Sequence, residues 1–171
     1  MMTCTHRTRN ARRRAVSLVE VAVSTLFTGL LLLAALQSVR NSAFTQYKAS
    51  ERATAEFLGD ALLAEIIAQA YEEPSGAVSF GRESGESGGS RPNWDDVDDY
   101  TGWSESPPQR KDGTTLSDLT TWQRSVTVQW VTAANTTVVS GTETGLKRIV
   151  VSVSHNGKVI WNRAALRGKF P

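Results

Sequence analysis

Nineteen residues without a charge, VAVSTLFTGLLLLAALQSV, separate Glu20 from Arg40. No other feature of the 171-residue chain limits its folding as strongly. A stretch this apolar must be covered on every side, by protein or by lipid. As a helix rising 1.5 Å per residue it spans roughly 28 Å, close to the ~30 Å hydrocarbon core of a bilayer. Apolar residues make up 40% of the chain, enough for one modest core and too few for a multi-span membrane protein.

Arg7, Arg9, Arg12, Arg13 and Arg14 precede the run, and no acid stands among them. The positive-inside tendency places residues 1–14 in the cytoplasm and the C-terminal part outside. The chain's net charge of +2 therefore belongs to this basic leader, and the rest is net acidic. Nucleic acid is not an expected partner. The single cysteine, Cys4, permits neither an intrachain disulfide nor a cysteine metal site.

The helical pattern runs on past Arg40. No proline occurs before Pro74, and Leu58, Leu62, Ile66 and Ala70 recur at four-residue steps, clearly from Phe57 onward. Phe44 and Tyr47 lie on roughly the same face upstream. One helix from about Ser17 to Tyr71 is predicted, roughly 80 Å long. Residues 16–40 form its membrane-spanning half and 41–73 its amphipathic half. Residues 81–115 are rich in Gly, Ser, Pro and acids and read as loop. From Asp118 the pattern turns to strands. RSVTVQWV alternates Val126, Val128 and Trp130 with Thr127, Gln129 and Val131, and LKRIVVSV and KVIWNR flank the hairpin signal Asn156-Gly157. AVSF at 77–80 is a further edge-strand candidate. The expected fold class is α+β: a long N-terminal helix whose amphipathic half packs on a small antiparallel sheet formed within 74–171.

Glu20 is the anomaly in this scheme. A secretory h-region should be purely apolar, and no A-x-A cleavage site directly follows the run. A twin-arginine reading of RRRAVSL leaves Glu20 unexplained. The stretch RRRAVSLVEV resembles the cleavage and methylation site of type IV prepilins and type II secretion pseudopilins. In that family a short basic leader ends in Gly or Ala. A hydrophobic residue, Thr or Ser, Leu, an aliphatic residue and Glu follow, and then about 20 apolar residues. Ala15 takes the last leader place, Val16 the first mature place, and Ser17, Leu18, Val19 and Glu20 the next four. Gly29 falls where pilins often carry a helix glycine. The chain departs from the pattern in having Ala15 where Gly is usual, Val16 where Phe or Met is usual, and Gln37 where many major pilins have proline.

The resemblance implies a pilin-like fold and a non-enzymatic role. A prepilin peptidase would remove residues 1–15 between Ala15 and Val16 and N-methylate Val16. Glu20 would pair with the Val16 amine of a neighbouring subunit during assembly. Partners would be the membrane, the peptidase and other pilins or pseudopilins. The location would be the inner membrane, with the C-terminal part periplasmic, and then a pilus or pseudopilus. Two plainer readings stand beside it: Glu20 snorkels to the headgroups, or the chain is a signal-anchored binding module that does not polymerise.

In the C-terminal part, NWDDVDDYTGWSESP and LKRIVVSVSHNGK resemble minor prepilins of the MSHA (mannose-sensitive haemagglutinin) type. Asp95, Asp96, Asp98 and Asp99 are four carboxylates within five residues. They read either as a calcium loop or as a solvated turn with Asp capping the chain, and they lack the EF-hand register. No other cofactor is expected. Trp94, Tyr100 and Trp103 are expected to pin this loop to the sheet, and Trp122, Trp130 and Trp161 to pack in or beside strands. His155 reads as a surface turn residue. No P-loop, nucleophile elbow or histidine metal cluster occurs.

Overall fold

The computed structural model describes residues 17–74, 79–86 and 91–169. The fold is α+β: one long N-terminal helix, α1 (Leu18–Ile67), with an antiparallel sheet of five strands. Contacts divide the chain into residues 1–46 and 47–171, and each unit is taken separately. The described part of the first unit is the α1 stretch up to Gln46, and every residue of it is exposed.

In the second unit α1 buries Ala55, Leu58, Gly59, Leu62, Leu63 and Ile66. Steps of three and four residues place them on one face. The stripe expected at Leu58, Leu62 and Ile66 is therefore present, and each such side chain contributes ~2 kcal/mol by leaving water. Phe57 points away from it and is exposed. The helix closes at Ile67, four residues before the expected Tyr71. The Gln69 N–H bonds the Ile66 carbonyl at 3.1 Å, and Ala70 then pairs in parallel with Asp96. Ala70 thus leaves the stripe for a backbone bridge.

The sheet holds β1 (Ser104–Glu105), β2 (Trp122–Thr132), β3 (Asn135–Val139), β4 (Leu146–His155) and β5 (Lys158–Gly168). The order is β1-β2-β4-β5, and β3 shares the β1 side of β2. Asn156 and Gly157 turn between β4 and β5 with φ of 51° and 75°, as a primed hairpin turn requires. Alternation sends Val126 and Val128 of β2 and Ile149, Val151 and Val153 of β4 into the core. The expected alternation fails at the end of β2: Val131 is fully buried and Trp130 only half-buried. The slip lies beside the irregular β2–β3 register at Val131/Thr132. The edge strand anticipated at 77–80 falls partly outside the described residues; Ser79 and Phe80 belong to no strand.

The segment expected as loop contributes to the core. Trp94, Val97 and Tyr100 are almost completely buried against Leu62, Leu63, Ile66, Val126 and Ile149. Trp94, Tyr100 and Trp103 meet edge to face at 4.8–6.5 Å, so these aromatics do pin the segment down. Two buried arginines hold it as well. Arg124 on β2 pairs with Glu105 on β1 and donates to the Leu58 carbonyl of α1 at 3.3 Å. Arg91 meets Glu105 and Glu65 at 3.4 Å and covers the Trp103 ring at 4.6 Å. Two bases and two acids balance, as buried charge demands.

His155 departs from its expected role as a surface turn residue. Its ring stacks on Trp122 at 4.4 Å, and its Nδ1 lies 2.7 Å from Glu51 of α1. The cross-strand pairing of Trp122 with His155 sets up this contact. Helix and sheet approach closely at Gly59, where an added Cβ would stand 2.0–2.6 Å from Trp161 ring carbons. Alanine favours a helix by ~1 kcal/mol over glycine, whereas overpacking costs ~1–3 kcal/mol. Trp161 packs against both core clusters, so it cannot swing away freely and the steric cost wins. Gly59→Ala is expected to lower stability by ~1–2 kcal/mol in urea denaturation followed by circular dichroism. In a Trp161→Leu background the same change should carry no penalty.

Candidate functional site

Two regions carry the residues singled out in the sequence. The first is the start of α1. The Val21 N–H bonds the Ser17 carbonyl at 3.1 Å, so Ser17 occupies the cap position and Glu20 the first turn. S-L-V-E also has the capping-box spacing, an ordinary structural reason for an acid at this place. Glu20 is exposed and has no hydrogen-bond or ion-pair partner among the described residues. Ala15 and Val16 lie outside the described residues. Beyond Glu20 the two threonine hydroxyls of the run are satisfied within the helix. Thr25 donates to the Ala22 carbonyl at 2.9 Å and Thr28 to the Ser24 carbonyl at 2.8 Å. Such back-bonding lets hydroxyls enter an apolar medium without stranding a donor. The helix is long and apolar enough to cross a membrane. Ser24, Thr25, Thr28 and Gly29 line a shallow groove below Glu20, and a Cβ on Gly29 would touch nothing within 4 Å.

The second region is the turn that carries the four aspartates. Ala70 docks it: its N–H bonds the Asp95 carbonyl, and its carbonyl accepts from Val97 N–H, both at 3.1 Å. Asp96 Oδ1 then accepts from the N–H groups of Asp98 (2.7 Å) and Asp99 (3.2 Å). Asp99 Oδ2 accepts from those of Asp95 and Asp96, both at 3.1 Å. The two carboxylates thus fold the turn by bonding its own backbone. Asp98 has a different task. It pairs with the buried Lys147 of β4 and accepts from Gly81 N–H at 3.0 Å. Lys147 also donates to the Tyr71 carbonyl and lies 4.4 Å from the centre of the Tyr71 ring.

The four aspartates therefore do not converge on one point. Asp96 and Asp98 are committed to backbone and lysine, while Asp95 and Asp99 face other acids. Carboxylate oxygens of Glu86, Asp95 and Asp99 lie within 4.8 Å of one another, as do those of Glu73, Glu83 and Glu86. The sequence reading left these three glutamates aside. The available signal was the pair Glu83 and Glu86 at turn spacing, closed by Glu86 N–H to the Glu83 carbonyl at 3.1 Å. Burial raises the carboxyls of Glu83, Glu86 and Asp95 above the usual range. It lifts Asp99 to about 6 and Asp96 to about 8, where the charge of Asp98 adds to it. No catalytic constellation of nucleophile and base appears among these groups.

The chain matches no family model, no curated protein and no solved structure.

The Asp98–Lys147 pair yields a direct test. Removing one partner of a buried pair strands the other charge, at a cost of about 3–5 kcal/mol. Lys147→Met should destabilise the chain by that amount in urea denaturation. Adding Asp98→Asn should recover a large part of the loss, because the amide oxygen still accepts from Gly81.

Proposed function

We propose that the chain is a minor pilin or pseudopilin subunit, assembled through its N-terminal helix into a type IV pilus or a type II secretion pseudopilus. The observation that carries this reading is α1 itself. A fully exposed apolar stretch, headed by a lone Glu20, continues without a break into the helix that holds the sheet. It follows the sequence RRRA-V, which supplies a leader and a cleavage point.

The energetics favour a partner for Glu20. A carboxylate at the bilayer centre costs on the order of 3 kcal/mol, and less toward the interface, where Glu20 heads the run. The helix N-terminus returns only ~0.3–1 kcal/mol. Whatever cost Glu20 still bears in lipid, an amine from an adjacent helix start would offset it. Cleavage after Ala15 creates that amine on Val16. Small residues below Glu20 let a second helix approach closely. The order of events is membrane insertion with residues 1–14 cytoplasmic, cleavage and N-methylation by a prepilin peptidase, then lateral packing with other pilins.

Mass spectrometry of the chain recovered from membranes should show methylated Val16 as its first residue. Retention of residues 1–15 would instead identify a signal-anchored module that does not polymerise. A second experiment isolates assembly. Glu20→Ala should still be cleaved, yet enter sheared filaments at least ~tenfold less than the wild type, the factor that 1.4 kcal/mol supplies. Normal incorporation would remove Glu20 from the mechanism.

A further inference from the structure

The strand β5 ends the sheet, and its outer edge is open. Among the described residues no strand pairs with that edge, and no backbone hydrogen bond reaches it from a loop. A row of unpaired N–H and C=O groups is a template for another strand. Against this edge lies a cleft of about 250 Å³, lined by Arg52 of α1 and by Val159, Ile160, Trp161 and Asn162 of β5. Successive strand residues point to opposite faces. A cleft that touches four in a row therefore lies along the edge of the strand, where an added strand would run. Its volume falls below the ~300–1,000 Å³ of small-molecule pockets and suits one or two side chains.

The charges decide which strand fits. From position 158 to the C-terminus the chain carries Lys158, Arg163, Arg167 and Lys169 and no acid. α1 answers two of these bases: Asp60 meets Arg163 at 2.5 Å, and Glu72 meets Lys169 at 2.6 Å. Arg52, in the cleft, is exposed and has no hydrogen-bond or ion-pair partner among the described residues. A second copy of β5 would bring the same bases to the same edge, and like charges across strands repel. An acidic strand is attracted instead. The geometry points to the free edge of β5 as the docking site for an extended acidic segment of a partner protein, added as a further strand with one carboxylate on the Arg52 guanidinium. A guanidinium fork takes a carboxylate by two parallel hydrogen bonds. On the other face of β5, Val159 and Leu166 are half exposed and pair with Ser154 and Arg148, away from the buried Val153 and Ile149. The incoming strand therefore alternates acidic and apolar residues. This contact is separate from the helix packing proposed above and holds whether or not the chain enters a filament.

The test uses the purified full-length chain in detergent micelles and a labelled peptide as long as β5, built of alternating glutamate and valine. Fluorescence anisotropy should show this peptide binding, and a lysine–valine peptide of the same length binding at least ~tenfold more weakly. Methylating the backbone amides of the acidic peptide removes ladder hydrogen bonds without touching its charge, and should also weaken binding at least ~tenfold. Arg52→Ala should do the same and leave Tm unchanged, because Arg52 holds nothing else in place. Arg52→Glu should go further and favour the lysine–valine peptide over the acidic one. Failure of the acidic peptide to bind the wild type at about 1 mM overturns the site. Undiminished binding of the methylated peptide overturns the added strand, and undiminished binding to both Arg52 variants overturns the cleft as its anchor.

Discussion

The position of one lysine organises the C-terminal unit. Lys147 lies on the inward face of β4, in line with Ile149, Val151 and Val153, and is 2% exposed. A bare ammonium there would be heavily penalised. Asp98 neutralises it, so the aspartate turn must lie over this end of the sheet. The Tyr71 carbonyl takes a second hydrogen from the same ammonium, which fixes the chain as it leaves α1. Gly81 completes the set by donating to the other oxygen of Asp98. Four segments far apart in sequence therefore meet at one charge.

The second buried ionic group works at the other end of the same segment. Arg124 and Arg91 share Glu105, and Glu65 of α1 balances the extra base. Between these two ionic anchors lie Trp94, Val97 and Tyr100, which fill the space between helix and sheet. Buried ion pairs rarely add much net stability over apolar packing, but they punish misplacement severely. They act here as registration: a segment full of Gly, Ser and Asp has little apolar surface with which to choose its own place.

The sequence disclosed the elements whose signal is local and hid those whose reason is distant. The helix was legible because nothing before Pro74 interrupts it, and the β4–β5 hairpin because Asn156-Gly157 suits only a few turns. Even Lys147 could be placed inward by parity with Ile149 and Val151. What parity cannot supply is the partner, 49 residues away. The same holds for His155, whose carboxylate partner Glu51 is 104 residues distant. β3 and β1 escaped notice because they are short and carry little alternation. The dense aspartate run was visible in the sequence, but not that its members serve different partners, Asp98 the lysine and Asp96 the turn's own backbone. Their companions Glu73, Glu83 and Glu86 are scattered through residues that read as loop.

Sorting the acids by who neutralises them separates architecture from proposed function. Glu105, Glu65 and Asp98 meet arginine or lysine of this chain and belong to the fold. Asp96 spends its Oδ1 on backbone N–H groups and belongs to a turn. Two sets remain. Glu20 stands at the head of an apolar helix with no partner among the described residues. The Glu86 cluster gathers carboxylates around orphaned oxygens. On the function proposed above, Glu20 would be half of an interaction whose positive half comes from another chain. That half would be the amine that cleavage creates on a neighbouring subunit, whereas the Glu86 cluster answers its own charge in part through the raised, protonatable carboxyls of Glu86 and Asp99.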